Sequence, residues 1–331
     1  MTYKLIIMVT TILLAITFSG CTKERRIDSP GTLLPKTVIQ DPSLPSITIN
    51  GAKLHAEAFG SPDSPLLIIL HGGPGCDYRY LLNCKAFANE GYRVVFFDQR
   101  GAGLSERFPA STYDNLDVAI EDVKAVIAHY RTSPGQKVFI LGHSWGAMLA
   151  SAFINAYPAA AQGLILGEPG GLVWKDVVEY MDRSNAFSFF SEDLNNAVYF
   201  EQFLSGKEDE HEILDYKSLL WASSEEGSLI GNEGRVPFWR NGGVSQKAYF
   251  ETGERVKPDW TANLYKFTTK VLFIYSQNNK AYGIEHAKKV SAAYPNVQLF
   301  QTNDAGHDML TFPRGWNNTY PAMLDYLNAL K

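Results

Sequence analysis

The chain has 331 residues, 45% hydrophobic and 20% charged, with a formal net charge of −5. That length suits one large domain or a domain with an insertion. The acidic balance leaves no basic footprint for nucleic acid, and no internal repeat points to a solenoid.

Residues 1–20 read as a secretory signal: Lys4 gives a positive start, residues 5–18 are apolar, and Ser19 and Gly20 precede Cys21. The pattern is similar to a bacterial lipobox, in which Cys21 is acylated and becomes the mature N-terminus. An ordinary cleaved signal or an uncleaved anchor is the plainer alternative. Acyl chains on Cys21 would bury enough methylenes for a stable membrane anchor, so the expected location is the cell envelope, facing periplasm or exterior. Residues 21–45, with Pro30, Gly31, Pro35, Pro42 and Pro45, read as a lipidated tether. Cys76 and Cys84 remain, and export permits a disulfide between them. A helix starting near Asp77 would hold their Cα atoms too far apart for a relaxed bridge, so two thiols are expected.

From residue 46 the pattern changes. Residues 46–50 and 54–59 alternate around a turn at Gly51, predicting an antiparallel pair at a sheet edge. Residues 65–70 and 92–97 are continuous apolar runs, the mark of strands covered on both faces. A mixed helical segment, 78–89, lies between them, and 116–130 has helical spacing. Further strands are predicted at 137–141, 161–166, 270–275 and 297–301, with helices at 283–294 and 316–330. This alternation predicts an α/β fold: a mostly parallel, eight-stranded, doubly wound sheet with helices on both faces. Between 171 and 267 it lapses into helical stretches such as 177–182 and 193–204, rich in aromatic and charged residues. That region is expected to be a helical cap inserted after the sixth strand, dividing the core into 46–170 and 268–331.

The chemistry centres on Gly142-His143-Ser144-Trp145-Gly146, between an apolar strand and a helix-favouring run. Gly-x-Ser-x-Gly in that setting is the nucleophile elbow of the α/β-hydrolase fold. A sharp turn exposes Ser144, and the Trp145 amide at the helix start can hold an oxyanion. His71-Gly72-Gly73-Pro74-Gly75 follows the third strand, where this fold places its second oxyanion amide; Gly73 is the chosen donor. A base must take the Ser144 proton. His307 follows the last strand, where chain order puts it, whereas His55, His129, His211 and His286 fall in edge, helical or cap positions. No metal-ligand cluster or dinucleotide fingerprint appears, so no cofactor is expected.

Four motifs in order, His71–Gly75, Asp98–Ser105, Gly142–Gly146 and Gly306-His307, resemble the proline iminopeptidase branch of the α/β hydrolases over residues 46–331. The resemblance implies a catalytic triad, an oxyanion hole from the two loops, and cap carboxylates that recognise a free amino terminus. It also implies an aspartate after the seventh strand, where this chain has Ser276-Gln277-Asn278-Asn279-Lys280 and no carboxylate. Asn279 takes the aspartate's place. An amide there can orient an imidazole but cannot offset its charge. Glu168, after the sixth strand, is the other position from which an acid reaches the histidine in this fold. It could also bind a substrate amine or be a polar residue at the cap hinge. The expected triad is therefore Ser144, His307 and Glu168, with Asn279 as the alternative third position. Asp98–Gly101 is expected to be structural, and Asp308 to point elsewhere. Glu201, Glu208, Glu210, Glu212, Glu225, Glu226 and Glu233 are undifferentiated candidates for a substrate amine. Trp174, Trp221, Trp239 and Trp260 are candidates for a pocket wall or cap core.

The expected activity is that of an exported serine hydrolase releasing an N-terminal, proline-type residue from short peptides. A carboxylesterase or amidase acting on small esters is one alternative. A non-catalytic, surface-tethered binding lipoprotein is another. The expected partners are a small-molecule or short-peptide substrate and a membrane held through Cys21.

Overall fold

The computed structural model describes residues 34–184, 210–222 and 229–331. The signal at 1–20, Cys21 and the predicted cap helix 193–204 lie outside the described residues.

Eight strands form one sheet in the order β1-β2-β4-β3-β5-β6-β7-β8. The edge hairpin, β1 (Ser46–Ile49) and β2 (Ala52–Phe59), is antiparallel, and β2 also runs antiparallel to β4 (Arg93–Phe97). From there β3 (Leu66–Leu70), β5 (Val138–His143), β6 (Gly163–Gly167), β7 (Val271–Ser276) and β8 (Val297–Thr302) are all parallel. A parallel sheet needs cover on both faces, and β3 shows how the sequence supplies it. Leu66, Ile68 and Leu70 face one apolar cluster, while Leu67 and Ile69 face the other. The first cluster takes in α1 (Asp117–Tyr130) and α2 (Trp145–Ala156). The second takes in a 3₁₀ helix, Arg79–Glu90, and the closing helix. Burying each of these aliphatic side chains contributes about 1.5–3 kcal/mol.

After β6 the chain leaves the sheet through α3 (Trp174–Ser184), α4 (Glu210–Ala222) and α5 (Gly243–Val256), then returns at β7. Helices α6 (Gly283–Ser291) and α7 (Pro313–Leu330) complete the described elements. Helix α5 escapes sequence detection because Gly253 interrupts its interior. A Cβ there would sit 2.2 Å from the Trp174 ring, so the glycine makes room for that indole.

The last part of the expected tether is seated on the core: Val38 is fully buried and its amide donates to the Leu104 carbonyl at 2.8 Å. Lys53 Nζ donates to the Val38 carbonyl at 3.1 Å. Cys84 is buried in the 3₁₀ helix and Cys76 is half-buried; the two are not joined in a disulfide, as expected.

Candidate active site

Because β3 to β8 run parallel, the loops leaving their C-terminal ends meet along one edge of the sheet. Ser144 links β5 directly to α2 with φ 55° and ψ −123°, a conformation that costs a residue with a Cβ about 1–3 kcal/mol. The surroundings hold it there. Its amide donates to the Gly167 carbonyl at 2.8 Å, and its carbonyl accepts from Ala147 at 2.9 Å and Met148 at 3.1 Å. The flanking glycines allow the strand and helix to touch: a Cβ on Gly142 would lie 2.3 Å from the Gly146 carbonyl, and one on Gly146 would lie 2.1 Å from that of Leu70. The Ser144 side chain is half-buried, and the Trp145 amide opens α2.

The loop after β3 runs beside the elbow. Gly72 donates its amide to Tyr80 Oη at 2.7 Å, which leaves Gly73 as the amide still available in the Gly-Gly-Pro run. Gly73 has φ +123°, and a Cβ on it would lie 2.6 Å from the Gly75 nitrogen, so only glycine fits.

The hydroxyl of Tyr80 lies 2.9 Å from His143 Nδ1, and His143 Nε2 lies 2.7 Å from the His307 carbonyl. One tautomer satisfies all three contacts: the phenol accepts from Gly72 and donates to Nδ1, and Nε2–H donates to His307. Burial, and then the neighbouring His307, push the His143 pKa well below its usual value, consistent with that neutral form. A continuous chain of hydrogen bonds thus connects the loop after β3, the elbow and the His307 loop. No motif in the sequence marks Tyr80, whose partner lies far along the chain.

The loop after β4 is structural, as expected. Gln99 donates Nε2 to the His71 carbonyl at 2.8 Å and accepts from Trp145 Nε1 at 3.0 Å. His71 Nε2 accepts from the Gln99 amide at 2.9 Å, and burial lowers its pKa. Asp98 accepts from His55 Nδ1 at 2.8 Å and from the amides of Tyr78 and Leu104.

Glu168 and His307 come together. His307 Nδ1 donates to Glu168 Oε2 at 2.6 Å. The carboxylate is fully buried, on a residue with φ 44°. Its other oxygen, Oε1, accepts from the Ser276 amide at 2.7 Å and the Ser276 hydroxyl at 2.6 Å. Asn279, the alternative partner for His307, bonds Glu168 instead: its Nδ2 donates to Oε2 at 2.8 Å. Asp308 accepts from the Glu233 amide at 2.8 Å, and burial raises its pKa to about 6.

Cap segments touch these loops. Gly242 donates to the Gly75 carbonyl at 2.6 Å, and Asp77 accepts from the amides of Trp239 and Arg240. Arg240 reaches Asp215 of α4 at 2.7 Å, which Arg107 also contacts at 2.9 Å. Among the aromatic candidates, Trp174 and Trp260 are buried in the core cluster and Trp239 is partly buried. Glu233 Oε1 accepts from the Gly315 amide at 3.3 Å. Glu201, Glu208, Glu225, Glu226 and the side chains of Glu210 and Trp221 lie outside the described residues.

Comparison with known proteins adds to this geometry. The family model described as "Serine aminopeptidase, S33" matches residues 61–219. The proline iminopeptidase PfmaB of Pestalotiopsis fici is 27% identical over 273 residues, covering 80% of this chain and 92% of that protein. A solved proline iminopeptidase from Mycobacterium smegmatis superposes with a TM-score of 0.55 at 17% identity, covering 87% of this chain and all (100%) of the other. The chain has the α/β-hydrolase fold. Its likeness is to the proline iminopeptidase branch, and it is a serine hydrolase of that fold. A mouse protein named epoxide hydrolase 4 is 31% identical over 61% of this chain, but the match spans only 55% of that relative.

Chemically, the site offers this α/β hydrolase a hydroxyl on a strained turn and an imidazole paired with a buried carboxylate. It also offers the backbone amides of Gly73 and Trp145, on the loop after β3 and at the start of α2. Those are the parts an acyl transfer needs.

Proposed function

We propose that this serine hydrolase is an exported, lipid-anchored aminopeptidase that releases an N-terminal, proline-type residue from short peptides through an acyl-enzyme. Ser144 Oγ attacks the scissile carbonyl while His307 Nε2 takes its proton, and Glu168 offsets the imidazolium that forms. The amides of Gly73 and Trp145 hold the tetrahedral oxyanion. Collapse expels the leaving amine with the proton from His307, and a water activated by His307 then hydrolyses the ester on Ser144.

The observation that carries this reading is the 2.6 Å contact between His307 Nδ1 and Glu168. It supplies the charged partner that the loop after β7 lacks. The peptidase assignment is supported by the match to a proline iminopeptidase over 92% of that protein's length. The export and anchoring rest on the Lys4 start, the apolar run and Cys21.

The test has three parts. Proline naphthylamide and a nitrophenyl ester are assayed side by side; turnover of the ester alone would overturn the peptidase reading in favour of an esterase. A fluorophosphonate probe is expected to label the wild type and not Ser144→Ala; absence of labelling would leave a binding lipoprotein. Metabolic labelling with an alkynyl fatty acid is expected to mark the wild type and to vanish in Cys21→Ser. Equal labelling of both would remove the lipid anchor.

A further inference from the structure

Asn279 has one orientation. It is 1% exposed, and its Oδ1 accepts from the Tyr282 backbone amide at 3.1 Å. A backbone N–H is always a donor, so the Asn279 amide nitrogen must face the other way. There it donates to Glu168 Oε2 at 2.8 Å and to Tyr180 Oη at 3.1 Å. The same carboxylate oxygen receives His307 Nδ1. The groups around Asn279 also fix the chain beyond Glu168. Tyr282 donates to the Pro169 carbonyl at 2.8 Å, and His286 Nε2 lies 2.7 Å from that of Gly170.

We propose that Asn279 is a positioning residue for the acid: its side-chain amide, at the place where the resemblance puts an aspartate, is a donor that holds the Glu168 carboxylate against His307. The proposal rests on reading Glu168 as the triad acid. It has a counter-intuitive consequence. An aspartate at 279 would keep the acceptor for Tyr282 but lose the donor for Glu168. It would also set a second carboxylate against Oε2. Two negative charges beside His307 favour the imidazolium, which cannot take the Ser144 proton. Restoring the family's usual residue should therefore damage this enzyme.

The experiment compares full-length wild type, Asn279→Asp, Asn279→Ala and Glu168→Gln on a nitrophenyl ester, with kcat and KM measured from about pH 5 to 9. Asn279→Asp is expected to lose at least about tenfold in kcat at neutral pH. Its acid limb should move up by about one pH unit or more, and activity should recover at alkaline pH. Asn279→Ala is expected to lose about tenfold in kcat with KM unchanged, the scale of one hydrogen bond to a charged group. Wild-type activity and an unshifted limb in Asn279→Asp would overturn the proposal, because aspartate would then serve as well. Pure destabilisation, with both variants losing the same factor at every pH, would also overturn it. Severe loss in Glu168→Gln beside silent Asn279 variants sinks the proposal alone. A silent Glu168→Gln sinks the reading beneath it as well.

Discussion

Glu168→Gln replaces one carboxylate oxygen by an NH₂ group in a site where both oxygens are engaged. The Ser276 amide and hydroxyl donate to Oε1, and His307 Nδ1 and Asn279 Nδ2 donate to Oε2. A glutamine has a single acceptor oxygen. If its NH₂ replaces Oε1, it meets the Ser276 amide, and a buried donor is left unpaired at a cost of about 1–3 kcal/mol. His307 then keeps an acceptor but no charge to offset the imidazolium. If the NH₂ replaces Oε2, His307 must turn Nδ1 into an acceptor. The proton moves to Nε2, which can no longer take one from Ser144. In a serine protease, the corresponding aspartate-to-asparagine change costs about four orders of magnitude in turnover. We expect kcat on a nitrophenyl ester to fall by about 10³–10⁴ with little change in KM, and the urea unfolding free energy to fall by about 1–3 kcal/mol. A loss under about tenfold, in a variant that is folded, would refute the assignment of Glu168.

Three other perturbations probe the surroundings. Tyr80→Phe removes the hydroxyl shared by Gly72 and His143 Nδ1. Denaturant unfolding should show a loss of about 1–3 kcal/mol for each buried group left unpaired, and kcat should drop because the oxyanion loop loses its tie to the elbow. Arg240→Ala strips one of two guanidinium partners from the fully buried Asp215. Breaking a buried pair typically costs about 3–5 kcal/mol; a loss under about 1 kcal/mol in urea would show that Arg107 alone suffices. Asp77 gives a signed pH effect. Burial first, and then the charge of Asp98, raise its pKa from 3.8 to about 8. The folded state therefore holds a proton that the unfolded state releases, and this stabilisation is greatest near and below the usual carboxylate range. It declines as pH rises towards about 8, by at most about 1.4 kcal/mol per pH unit. Asp77→Asn should flatten that slope in urea titrations at several pH values; an unchanged slope would remove Asp77 as its source.

The strands were legible because parallel pairing demands apolar residues on both faces, so Leu66–Leu70 reads as one uninterrupted run. The places of Ser144, Gly73 and His307 at the strand ends were legible because short local motifs mark them. Glu168 was legible by elimination, once Asn279 was seen to carry no charge. Tyr80, Ser276, Asp215 and Arg240 were not legible. Each works through a partner brought close only by the fold, and a single tyrosine or arginine in a sequence carries no sign of which loop it will reach. Residues 34–45 misled for a related reason: proline-rich composition looks the same whether a segment hangs free or lies in a groove, and Val38 is held by Leu104 and Lys53.

Glu168 sits at the end of β6, on the strand whose outgoing chain becomes α3. An acid after β7 would belong to the core alone. Here the residue that partners the histidine and the first turn of the cap share one short piece of backbone. A graft that exchanges caps between relatives must therefore cut beyond Glu168, in the short run before Gly171, which packs against Asp176 and Val177. Cut at or before Glu168, it would replace the acid along with the cap. The first helix beyond β6 and the carboxylate thus share a covalent tie that an acid after β7 would not give.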